Sequence, residues 1–260
     1  MRPRATLLTM LVLAITPCLV APPLARAQAT AEAVLHQAIA NQGGAERLRA
    51  LGDVRLELKY KATGTTEGDS IEGELTELYR GPDKLVTVLR SKVKPDLYKV
   101  YDGKVGRFMR RNVTDPDAEK AYDMDAKDLA QMREALSRAR LLILTNLFVE
   151  GAKLELLGRS MGRVKIRWTC PGEPVMTLEL DRFQLTRAYF GVDKASSATF
   201  GEIREFDGVM LPTEIKVVEP GDKGEQRFEI KVQRVEFARD RKFDDRVFAD
   251  PKRVAEFLER

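Results

Sequence analysis

The chain is poor in the residues on which most catalytic and metal chemistry depends. Its 260 residues hold one histidine, His36, one tryptophan, Trp168, and two cysteines, Cys18 and Cys170. One imidazole and isolated thiols cannot build a zinc cage, which argues against soft transition-metal centres. There is no Gly-rich phosphate loop and no dinucleotide-binding fingerprint. Neither sign of charge dominates: 44 basic residues face 40 acidic ones. The two signs are interleaved, leaving no footprint for nucleic acid and no polybasic membrane patch. A long apolar run is missing as well. The stretch Leu7 to Val20 covers 14 positions and includes Thr9, Thr16 and Pro17, whereas a transmembrane helix needs roughly 20 apolar residues.

That short run has a different meaning. Arg2 and Arg4 precede it, and Pro22, Pro23 and Ala25-Arg26-Ala27 follow it, the order of a cleavable secretory signal. Residues 1–27 are therefore expected to be removed, with cleavage after Ala27 or Ala29. Pro17 stands where a lipid-modified cysteine wants a small residue, which argues against lipidation at Cys18. Losing Arg2, Arg4 and Arg26 brings the net charge from +4 to about +1. It also removes Cys18, so Cys170 has no intramolecular disulfide partner even in an oxidising compartment. Residues 28–260 suffice for one domain with a real core.

Val34, Leu35, Ala38 and Ile39 recur at helical spacing within 31–40, and a short turn over 45–51 follows Gly43-Gly44. Beyond Asp53 the period becomes two. Val54, Leu56, Leu58 and Tyr60 alternate with Arg55, Glu57, Lys59 and Lys61, as a strand with one wet face requires. The alternation returns in Val164, Ile166, Trp168 and Cys170, in Met176, Leu178 and Leu180, and in Phe228, Ile230 and Val232. Asp102-Gly103, Asp207-Gly208 and Pro220 to Gly224 read as tight antiparallel turns. Residues 125–148 break the pattern: Leu129, Met132, Leu136, Ile143 and Leu147 predict a second helix. The acidic stretch 114–128 reads as a loop.

Short motifs add little chemistry. Gly158-Arg159-Ser160-Met161-Gly162 matches a nucleophile elbow, but a strand follows it and no histidine lies downstream. Ser91-Lys92-Val93-Lys94 should begin a helix to act as S-x-x-K, and Pro95 opposes that. Asp123-Met124-Asp125 lacks the glycine and distant glutamate of a calcium loop. Glu179 and Asp181 are the carboxylate pair a hydrolase reading would use, although Asp181 also suits a turn.

Some nine or ten strands then share two helices as cover, more apolar surface than two helices hide. A curved antiparallel sheet wrapped around a helix would enclose an apolar cavity. Several segments carry a resemblance: Glu72 to Leu75 with Arg80-Gly81-Pro82-Asp83-Lys84-Leu85, the hairpin Tyr101 to Phe108, Leu144 to Phe148, Leu180-Asp181, Phe206 to Pro212 and Phe248 to Pro251. Together they resemble the LolA/LolB outer-membrane lipoprotein-sorting family across essentially the whole of 28–260. The resemblance implies a mainly β, α+β fold, in which one curved antiparallel sheet forms an unclosed half-barrel under an N-terminal and a central helix. It also implies a periplasmic, monomeric, non-catalytic carrier of lipid or acylated protein, without a cofactor and with envelope membrane proteins as further partners. Strand parity within that fold nominates Leu56, Leu58, Tyr60, Leu75, Val88, Phe108, Trp168, Leu178 and Phe200 as the cavity wall. Leu129, Met132, Leu136 and Ile143 would cover it from the helix. An envelope sensor or scaffold on the same fold, or a secreted hydrolase using Asp and Glu, are the alternatives.

Overall fold

A computed structural model describes residues 30–64, 70–91, 95–111, 119–221, 224–239 and 242–259. The expected signal (1–27) and its cleavage site lie outside the described residues, as do Lys92 to Lys94, residues 114–118 of the acidic stretch, and Asp222-Lys223.

The chain opens with α1 (Ala31–Gln42) and the short α2 (Ala45–Arg49). The Thr30 hydroxyl accepts from the Ala33 N–H at the start of α1, and Gly43, at φ 132°, ends it. Six strands follow: β1 (Asp53–Thr63), β2 (Ser70–Arg80), β3 (Lys84–Ser91), β4 (Asp96–Tyr101), β5 (Gly106–Arg111) and β6 (Ala121–Asp123). Next come α3 (Ala126–Leu142), capped by the Asp125 side chain, and a 3₁₀ turn, Leu144–Leu147. The predicted second helix thus ends at Leu142 and tightens, rather than running to Phe148. Seven more strands complete the sheet: β7 (Lys153–Ser160), β8 (Arg163–Thr169), β9 (Met176–Asp181), β10 (Gln184–Phe190), β11 (Ser196–Phe206), β12 (Val209–Gly221) and β13 (Gly224–Ala238).

These strands form one antiparallel sheet in the order β6-β5-β4-β3-β2-β1-β13-β12-β11-β10-β9-β8-β7. Nearly every strand pairs with its neighbour in sequence. The β1–β13 pairing joins the two halves, and β6 and β7 are left as edges, so the sheet does not close. Register shifts at Glu57/Leu58, Leu156/Gly158 and Leu185/Arg187 interrupt the ladders, the kind of irregularity that bends a sheet. The sheet holds thirteen strands among the described residues, more than the periodicity predicts, because β5, β6 and β10 are short and weakly alternating.

The two ends of the sheet differ in how they are covered. In β8, burial alternates strictly, as expected for one wet face. In β3 the run Leu85-Val86-Thr87-Val88 is buried throughout, so both faces there are packed. Leu85 belongs to the main core, with α1 and α3 on the concave side. Val86 and Val88, with Leu78, Tyr98, Val100 and Met109, form a second core on the convex side. Its lid is a pair of helices the periodicity did not reveal, α4 (Asp245–Ala249) and α5 (Pro251–Leu258), which bring Val247, Phe248, Val254 and Ala255. The Asp250 side chain accepts from the Lys252 N–H, and Pro251 takes the first position of α5, where a missing N–H costs nothing.

Asp53 holds this second layer in place. It is 1% exposed and takes two bonds from Arg80, at 2.7 and 2.6 Å, and one from the Phe243 N–H at 2.5 Å. Arg80 also reaches the Phe243 carbonyl and Asp245, and lies 4.7 Å from the centre of the Phe248 ring. Removing one member of a buried pair strands the other charge. Asp53→Ala is therefore expected to cost about 3 to 5 kcal/mol, read as a lower urea midpoint. A loss below about 1 kcal/mol would contradict the role assigned to this pair.

Candidate functional site

The concave face collects nearly all the residues nominated from strand parity. Leu56, Leu58, Tyr60, Leu75, Trp168, Leu178 and Phe200 are buried in the main core, together with Met132, Leu136 and Ile143 from the helical segment. Phe108 and Leu129 are partly buried against the same core. Val88 is the exception. It lies on the convex face in the second core, because β3 is apolar on both sides and parity alone does not say which side is inward. Local fit shapes the wall as well. Gly73 sits opposite Tyr60, and a Cβ there would lie 2.9 Å from the Tyr60 ring.

The cover over this face is fixed at one end. The buried Gln42 amide donates to the Leu142 carbonyl at 2.7 Å and accepts from the Leu144 N–H at 3.0 Å, tying α1 to the end of α3. The Trp168 indole N–H donates to the Leu147 carbonyl at 2.8 Å, tying the 3₁₀ turn to the sheet. Arg140, 3% exposed, donates to the Pro82 carbonyl at 2.6 Å and to Glu173 at 2.9 Å, and lies over the Trp168 ring. Burial drives the ionisation of the neighbouring Tyr79 hydroxyl strongly upward.

The first half of α3 is held differently. Ala126, Lys127, Ala130 and Gln131 are exposed; Leu129 and Met132 pack on the main core, and polar contacts flank them. Asp128 lies 3.7 Å from Lys99, Glu134 bonds the Ser196 hydroxyl, and Arg138 bridges Glu134 at 2.9 Å and Glu219 at 3.4 Å. Beneath it runs a polar row in the wall. Glu77 pairs with Thr87 and Thr87 with Lys99 across β2, β3 and β4. Each interrupts an inward-facing apolar series: Leu75-Glu77-Tyr79, Leu85-Thr87-Leu89 and Leu97-Lys99-Tyr101. Sequence reasoning missed this row, although the polar residue in the middle of each series was there to be found. Burial pushes the Glu77 carboxyl up to about 7, against the opposing pull of Arg138. Glu219 is shifted upward for the same reason.

Space remains between the cover and the sheet. A cavity of about 140 Å³ lies between α1, the end of α3 and β10 to β12, lined by Ala38, Leu141, Leu144, Phe183, Leu185, Phe200 and Met210 among others. A larger cleft of about 830 Å³ is bordered mainly by charged residues, including Lys59, Lys61, Glu72, Glu74 and Arg90.

The remaining sequence motifs fall elsewhere. Ser160 leads through an exposed turn at Met161-Gly162 into β8, not into a helix. His36 stacks on Phe148 with ring centres 4.9 Å apart. Glu179 pairs with Lys165 at 2.7 Å. Asp181 stands opposite Arg163 and Gln184 where β9 turns into β10. Among the described residues, no group of three or more His, Cys, Asp or Glu side chains is arranged to hold a metal ion, and no helix is long and apolar enough to cross a membrane.

No protein-family model and no curated protein sequence matches the chain. Solved structures do. A LolA superfamily protein from Nitrosomonas europaea aligns over 85% of this chain and 98% of its own, with a TM-score of 0.54 at 11% identity. A putative outer membrane lipoprotein-sorting protein domain from Vibrio parahaemolyticus aligns over 89% and 98%, with 0.53 at 10% identity. A DUF1329 family protein from Desulfovibrio piger aligns over 84% and 97%, with 0.56 at 11% identity. At these identities the likeness is one of fold: the chain has a LolA-like, unclosed half-barrel.

The state of Glu77 yields a pH prediction. Its carboxyl stays protonated in the folded chain up to about 7, whereas the ordinary value is 4.5. Its contribution to stability is thus fully present below about 4.5 and is lost as pH rises through about 7. Urea unfolding of the wild type and Glu77→Gln between about pH 4 and about pH 8 should show the wild type losing ground to the variant as pH rises. Parallel profiles would contradict this.

Proposed function

We propose that this protein is a non-catalytic periplasmic carrier that holds an acyl chain, of a lipid or of an acylated protein, against its concave face beneath α3. One observation carries the reading: an apolar concave wall lies under a helix anchored by buried hydrogen bonds at its C-terminal end, whose stretch before Arg140 packs through Leu129, Met132 and Leu136 flanked by partly exposed ion pairs. Burial of each methylene contributes roughly 0.8 kcal/mol, so ten give about 8 kcal/mol gross, near micromolar affinity before the costs of ordering. Such binding is reversible, as a carrier requires. Lifting α3 ahead of Arg140 uncovers the wall at Leu56, Leu58 and Leu75 without breaking the Gln42, Trp168 and Arg140 anchors, while the cavity of about 140 Å³ lies at the anchored end.

The LolA-like fold and the lipoprotein-sorting description of a structural neighbour support this reading. The N-terminal signal pattern supports export to the periplasm, where a monomer would meet its cargo and envelope membrane proteins. A scaffold on the same fold calls for a contiguous exposed apolar patch. The most exposed large apolar residues described, Met161 and Val192, sit on separate turns, β7–β8 and β10–β11, so the carrier reading is preferred.

Native mass spectrometry of the processed protein, purified gently from its own periplasm, tests the proposal. Co-purifying lipid or acylated peptide at about one per chain is expected. An empty protein that also fails to bind a fluorescent fatty acid would overturn it.

A further inference from the structure

We infer that the polar row on the concave wall is a subsite for an ammonium group carried on an apolar chain, with Arg138 of α3 as its built-in stand-in when the cover is down. The inference rests on the reading above, that the concave face takes an acyl chain, and adds a headgroup preference to it.

The charges facing one another here do not balance. Glu77 and Glu219 come from the sheet and Asp128 and Glu134 from α3, against Arg138 of α3 and Lys99 of the sheet. Glu134 and Glu219 share the single Arg138 guanidinium. The Glu77 carboxylate accepts no hydrogen bond from any described residue, although Arg138 is its opposing charge. Thr87 supplies an independent sign of a missing partner. It is 9% exposed, stands between Glu77 and Lys99 in the row, and its buried hydroxyl oxygen has no hydrogen-bond partner. Buried hydroxyls are normally satisfied; Glu77 is only partly buried, so its deficit is one of counter-charge.

An ammonium group answers both deficits. It brings one positive charge and three N–H donors and no acceptor, enough to reach the Glu77 carboxylate and the Thr87 hydroxyl together. An anion would add to the existing acidic excess. A divalent metal needs clustered oxygen ligands, and no such cluster occurs among the described residues. The apolar neighbours Leu56, Leu75 and Leu85 require that the cation arrive on a chain able to cover them. When the part of α3 ahead of Arg140 lifts, Arg138 moves with it, and Glu77 and Glu219 lose their counterion as the chain enters. The cargo ammonium then takes the position that Arg138 vacates.

The test compares decylammonium, decanol and decanoate, each below its micelle concentration or, for decanol, its solubility limit, by calorimetric titration of the processed protein at about pH 8, where Glu77 is ionised. Decylammonium is expected to bind about tenfold tighter than decanol, and decanoate weaker than both. In Glu77→Gln and in Glu219→Gln the ammonium-to-alcohol ratio should fall to within about twofold. In Arg138→Ala the ratio should rise, whereas a purely structural loosening of α3 would shift all three amphiphiles alike. Equal affinities for ammonium and alcohol in the wild type, or a preference that survives in both glutamine variants, would overturn the subsite and leave the acyl-chain reading standing. Failure of all three to bind would overturn both.

Discussion

A sheet that curls without closing leaves a concave apolar face that must be covered, and here the cover is fixed at one end only. Gln42, Arg140 and Trp168 make that fixed end. Their bonds to the Leu142, Pro82 and Leu147 carbonyls join α1, α3, the 3₁₀ turn and two separate parts of the sheet within one buried cluster. A buried polar group in such a place is costly unless its partners are met, so the junction is held by desolvation as well as by hydrogen bonding. The stretch of α3 before Arg140 meets the sheet through Leu129, Met132 and Leu136 and through Asp128, Glu134 and Arg138, whose ion pairs remain partly exposed and exchange more readily with water. A helix held this way has a strong end and a weak end.

The convex side follows the opposite logic. Strands β2 to β5 carry buried apolar residues on both faces, and α4 and α5 complete the second face through the buried Asp53–Arg80 pair. Strands β7 and β8 have a polar outer face and need no such layer. The half of the sheet that carries the polar row is thus stiffened from outside. The opposite half, which contributes much of the cavity lining, is backed by cross-strand pairs such as Lys165 with Glu179 and Arg167 with Glu155.

Much of this was legible in the residues. Alternation at 54–60 and 163–170 places Leu56, Leu58 and Trp168 on one face, and the structure has them together. Val88 escaped because Leu85 to Leu89 is nearly continuously apolar, so period two carries no information about direction there. The helix α5, capped by Asp250, was not read from the sequence, because eight residues give a weak period. The row of Glu77, Thr87 and Lys99 is visible as a polar break in three successive strands, yet only the register shows that the three breaks align. The Gln42 and Arg140 contacts bridge residues about a hundred and about sixty positions apart, and no local pattern encodes a pairing of that kind.

For cargo to reach the concave wall, the stretch of α3 before Arg140 must leave the sheet. With Cys170 replaced by serine, cysteines at Glu134 and Ser196, whose side chains are hydrogen bonded across that gap, can be joined by a reducible bifunctional thiol reagent. Binding of a fluorescent fatty acid is then measured on the joined and the reduced forms of the same protein. The joined form is expected not to bind and reduction to restore binding; equal affinity in the two forms would show that cargo enters with α3 in place.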